Sequence, residues 1–171
     1  MVIRHKKMDR KSVAITIGPG GVEVRLPYWL STRHPSLAAM VRRRLTQVAR
    51  DAPPFPDRPL AREQLQLEAR RWAAVLGVRP NRIQVRQMVS RWGSCSSRGN
   101  VTFSELILEM PLPLREYLIC HELAHLRVLN HGPAFRRLMD SAIPDWKQRE
   151  RWLAGWVASR ELAALAASYR R

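Results

Sequence analysis

Three of the five histidines in this chain fall between positions 121 and 131, and a glutamate stands beside the first of them. The stretch His121-Glu122-Leu123-Ala124-His125 has the form H-E-x-x-H, and His131 follows it closely. On a helix, residues four apart share a face, so the imidazoles of His121 and His125 can reach one ion. Glu122 is turned by about 100° from His121, which lets its carboxylate address water at the metal without taking a ligand position. Catalytic zinc uses three protein ligands and keeps one position open. At that position the pKa of water falls to about 7, and a nearby carboxylate can accept its proton. The chemistry within reach of this set is metal-assisted hydrolysis, with His121, His125 and His131 as ligands and Glu122 as general base. One zinc ion per chain is expected, and nickel or another divalent ion could replace it on purification.

The surroundings strengthen the reading. Leu118, Ile119, Leu123, Ala124, Leu126, Val128 and Leu129 make this stretch apolar, and burying two histidines and a glutamate among them is costly unless something coordinates or pairs them. A turn at Asn130-His131-Gly132-Pro133 can fold the third imidazole back onto the ion.

Elements on either side must position these residues. The runs Ser12–Ile17 and Val22–Leu26, joined by Gly18-Pro19-Gly20-Gly21, predict a hairpin. Apolar spacing predicts a helix from about Pro35 to Arg50. The proline-rich stretch Ala52–Pro59 marks a boundary, and a second helix over Leu60–Leu76 ends at Gly77. Arg82–Met88 and Asn100–Leu108 read as strands. A third helix is expected from about Pro113 to Leu129, a short one from Pro133 to Ser141, and a last one after Pro144, whose alanine-rich end from Glu161 to Arg171 extends or frays. The expected organisation is residues 1–59 as an N-terminal hairpin and helix with a linker, and 60–171 as the metal-binding core with its C-terminal helices, the two together making one compact unit.

Lys and Arg number 30 against 14 acidic residues, for a net charge of +16, and 26 of the cations are arginines. Weak nucleic-acid binding through a basic surface follows from that charge alone. The arginines are dispersed and no recognition module or stacking signature accompanies them. No apolar run reaches the length of a membrane span. No secretory signal is legible, and Cys95 and Cys120 are too few for a disulfide framework. A cytoplasmic location is expected.

The block Arg91-Trp92-Gly93-Ser94-Cys95-Ser96-Ser97, the H-E-x-x-H segment and Asn130-His131-Gly132 together resemble the YgjP-like family of metallopeptidases. More distantly they are similar to the SprT-like zinc proteases, whose His-Gly-x-x-Phe element has a counterpart in His131-Gly132-Pro133-Ala134-Phe135. The spacing of the ligands also equals that of metzincins, but Val128 stands where their turn requires glycine. The nearer resemblance implies an α+β fold, a small zincin-like (gluzincin-type) domain with an antiparallel sheet, an active-site helix and flanking C-terminal helices. It also implies zinc on the three histidines, Glu122 as base, and peptide or unfolded protein as substrate. Gly132, Arg136 and Ser104 depart from the family's usual residues. Tyr117, one turn before His121, is expected to pack with its hydroxyl satisfied, with a contact to substrate or transition state as the alternative; Arg91 and Arg98 are candidates for such contacts too. Further expectations are that Asp140, Asp145 or Glu105 supports a ligand histidine, and that the strand around Val101–Ile107 binds substrate backbone. The alternatives are a metal-dependent nucleoside triphosphate pyrophosphatase and a basic, metal-stabilised nucleic-acid-binding module.

Overall fold

Alternating apolar residues build the first sheet. In the computed structural model, which describes residues 2–53 and 60–168, β2 (Ala14–Gly18) and β3 (Gly21–Pro27) form the expected antiparallel hairpin. Gly21 takes φ 91°, the left-handed region that glycine enters without steric penalty. A strand that the sequence did not suggest, β1 (Val2–Met8), pairs parallel with β3 along its other edge. Its run of cations shows no apolar alternation, and backbone pairing with β3 is what makes it a strand. The helix α1 (Pro35–Ala49) lays Leu37, Val41, Leu45 and Val48 on Val22, Val24 and Leu26.

The chain divides into two compact units, Met1–Pro53 with Arg151–Arg171, and Pro54–Glu150. The last helix, α5 (Trp146–Ser168), contributes to both. From Arg151 onward it belongs with the N-terminal sheet and α1, whereas the sequence reading assigned those residues to the metal core. The reason is close packing. Ala158 joins the α1 core cluster, and at Gly155 a Cβ would stand 2.6 Å from that of Ala52. Residues 54–59 of the proline-rich boundary and 169–171 of the alanine-rich end lie outside the described residues.

The second unit carries the histidines. Its α2 (Arg62–Leu76) stops at Gly77, at φ 63°. Three short strands follow, β4 (Arg82–Arg86), β5 (Gly93–Cys95) and β6 (Asn100–Ser104), in the order β4-β6-β5. β6 pairs parallel with β4 and antiparallel with β5, so this sheet, like the first, is mixed where an antiparallel one was expected. With Val101 and Phe103 fully buried, β6 is the most apolar of the three and takes the centre. It ends at Ser104, and Glu105–Glu109 turn into a 3-10 helix. The α+β class stands.

The α3 helix (Leu112–Ala124) ends at Ala124, short of the expected Leu129. Tight turns take over, with Arg127 and Val128 N–H both donating to Ala124 O at 3.0 Å, and these bend the chain back toward α4 (Pro133–Ala142). A buried clamp joins α2 to α3. Arg115 donates to both oxygens of Glu68, at 2.9 and 3.1 Å, and to the carbonyl of Met110 at 2.7 Å. Bidentate geometry of this kind is the strong form of an arginine–carboxylate contact.

Candidate metal centre

α3 presents His121 from its last turn and His125 from its C-cap. The turn before α4 supplies His131. There Asn130 Oδ1 accepts the Gly132 N–H at 3.2 Å, curling the chain around the imidazole, and Pro133 starts the next helix. The ligand atoms of His121, His125 and His131 lie within 4.8 Å of one another. His121 Nε2 and His131 Nε2 are 3.0 Å apart.

Several features test whether a cation fits. A single N–H could join two of these nitrogens, but the convergence of a third imidazole on the same point is the arrangement a shared cation takes. Burial, with smaller contributions from His125 and His131, lowers the pKa of His121 to about 4, so its ring stays neutral, the form that binds metal. His125 Nδ1 lies 3.0 Å from Val128 O; as an N–H donor it leaves Nε2 free to face the other two rings. Phe135 is buried beneath the cluster, its ring 4.8–5.0 Å from all three imidazole centroids. The donor set and its apolar floor fit a divalent cation that accepts nitrogen ligands.

Glu122 is only 8% exposed, and burial raises its pKa to about 7 against the opposing pull of Arg91. A carboxyl poised there can accept and return a proton near neutral pH. Gly93 of β5 backs directly onto its side chain, which explains the glycine in the Arg91–Ser97 block.

The other candidates fall in different places. Tyr117 is buried, its ring edge-on to His121 at 5.7 Å, and its hydroxyl is hydrogen-bonded to Glu150, so it braces His121 and does not face the open side. Arg98 sits on the exposed turn after β5. Asp140 accepts from Trp146 Nε1 at 2.7 Å, Asp145 from Arg149, and Glu105 from Arg62, so each of these expected histidine partners is committed elsewhere. The support for His125 is the backbone carbonyl of Val128, which side-chain types could not reveal. Cys120 is packed beside Met139, burial pushing its thiol up to about 12. Cys95 is half-buried and is not part of the histidine cluster. The strand expected to bind substrate, β6, has both edges paired; the edge beside Glu122 that is free among the described residues belongs to β5.

Residues 56–155 match the YgjP-like metallopeptidase domain. The chain belongs to this family. Membership makes it a YgjP-like metallopeptidase in general terms, with a divalent metal and a peptide or protein substrate. Among solved structures, the metallopeptidase zymogen of Pyrococcus abyssi abylysin is similar at 21% identity, over 51% of this chain and 87% of that one, with a TM-score of 0.46. Comparison with curated proteins gives no match. Among the described residues of this YgjP-like chain, no helix is long and apolar enough to cross a membrane.

Proposed function

We propose that this chain is a zinc-dependent peptidase in which His121, His125 and His131 hold the metal and Glu122 is the general base. The observation that carries the reading is the convergence of three imidazoles within 4.8 Å, with the buried carboxyl of Glu122 next to the first of them in the chain. Zinc, when bound, supplies Lewis acidity that polarises a scissile carbonyl and lowers the pKa of water. Glu122 takes the proton of the attacking water and delivers it to the leaving amine. Val128 O holds the His125 ring by its Nδ1–H, and Phe135 holds all three rings from below. The outer edge of β5, unpaired among the described residues, supplies backbone N–H and C=O groups on which an extended substrate can add as a strand.

The test pairs wild type with Glu122→Gln on unfolded protein, peptides and nucleoside triphosphates, with metal content measured on untagged protein. Both proteins should carry about one zinc per chain. The variant should cleave peptides at least ~10²-fold more slowly. Hydrolysis of nucleotides with no peptide cleavage would reject the peptidase assignment.

A further inference from the structure

One flank of the metal centre opens into a groove without a carboxylate on its walls. Beside His125 lies a cleft of about 560 Å³ bounded by Arg98 and Arg127. It shares Arg79 and Asn81 with a second cleft of about 750 Å³, to which Arg70 and Arg82 contribute. Neither lining contains Asp, Glu, Phe, Tyr or Trp. Arg70, Arg79, Arg82 and Arg98 are exposed, and among the described residues none of them has an ion-pair partner. Acidic residues of the same unit are engaged with other arginines: Glu68 with Arg115, Glu105 with Arg62, and Glu116 and Asp145 with Arg149.

The groove is held in shape. Asn81 N–H donates to Gly99 O at 2.8 Å and its side-chain amide donates to Arg98 O. Gly99 takes φ 76° against that amide, where a Cβ would lie 3.3 Å from the Asn81 nitrogen. Arg127 donates to Leu76 O at 3.2 Å, joining the turn after α3 to the end of α2. The groove is also aligned with the centre, because β5 runs from Gly93, against Glu122, to Cys95 and straight into the turn that carries Arg98. A peptide laid along the β5 edge therefore passes from Glu122 toward the arginines.

We propose that this groove binds acidic side chains of the peptide substrate, giving a preference for Asp or Glu on the Arg98 side of the scissile bond. The proposal rests on the peptidase reading above. A nucleic-acid backbone would offer similar anions, but the groove lacks the aromatic platforms on which single-stranded bases stack. Exposed arginines facing carboxylates contribute individually little and together set selectivity.

The experiment measures binding of labelled hexaglutamate and hexaglutamine to wild type, to R79Q/R82Q, and to R43Q/R44Q, an equal charge change on the exposed face of α1. Salt is held near ~150 mM to screen non-specific attraction, and an oligothymidylate of matched charge serves as competitor. Hexaglutamate should bind more tightly than hexaglutamine, and R79Q/R82Q should weaken it by about three- to tenfold. R43Q/R44Q should leave it unchanged. No loss in R79Q/R82Q, or equal loss in both variants, overturns the proposal. Tighter binding of oligothymidylate, lost in R79Q/R82Q, assigns the groove to nucleic acid and overturns it too. In cleavage assays, hydrolysis of neutral and acidic peptides at equal kcat/KM removes the groove's role and leaves the peptidase reading standing. Absence of any peptide hydrolysis removes both.

Discussion

Gly93 and Glu122 fit together only because position 93 has no side chain: a Cβ there would stand 2.6 Å from Glu122 Cγ and 2.7 Å from Cδ. Gly93 is therefore a positioning residue for the carboxyl. Gly93→Ala must displace Glu122, and overpacking of this kind costs about 1–3 kcal/mol. Misplacing a catalytic group by about 1 Å can lower turnover ~10²-fold. The expected result is one equivalent of metal with kcat reduced on that order. Unchanged kcat with full metal would end the positioning role.

His131 is exposed and sits in a turn outside α3. His131→Ala should keep the fold and lose most of the zinc, read by circular dichroism and metal analysis. Chelation of wild type should lower the melting temperature, and added zinc should restore it, because a ligand of the native state stabilises by mass action. Retention of zinc by His131→Ala would place the third ligand elsewhere.

The Arg115–Glu68 clamp makes a prediction about stability alone. Arg115 has 7% of its side chain exposed and Glu68 21%. Removing one partner of a buried pair strands the other charge, and Arg115→Ala should lower unfolding free energy by about 3 kcal/mol, the lower end of the usual range because Glu68 keeps some solvent. Urea denaturation reads this directly. A change below about 0.5 kcal/mol, the level of an ordinary surface substitution, would show that the clamp adds nothing.

Glu161 in α5 is 2% exposed, with Oε1 buried and lacking a hydrogen-bond partner among the described residues. Burial raises its pKa above 4.5. Between 4.5 and that raised value the unfolded chain gives up the proton first, so Glu161 removes stability as pH rises. Glu161→Gln should raise the melting temperature at pH 7, and the gain should shrink as pH falls toward 4.5. Scans at several pH values check both. A lower melting temperature for the variant at neutral pH would mean that the carboxylate is stabilised by a partner.

The sequence by itself brought out the histidine–glutamate set proposed to carry the chemistry, and most of the elements around it. The residue types and their i, i+4 spacing are local, and helical geometry converts them into a shared face without long-range information. The hairpin, α1, α2 and the break before α4 were legible for the same reason, since glycine, proline and apolar periodicity act within a few residues. Only the tertiary structure decided where β1 and β5 pair, because the first is a run of cations and the second is three residues long. Inter-strand hydrogen bonds make both into strands. It also decided that α3 stops at Ala124, that Val128 O and Phe135 support the imidazoles, and that Asp140, Asp145 and Glu105 do not. These depend on which distant groups meet, and residue type alone does not carry that information.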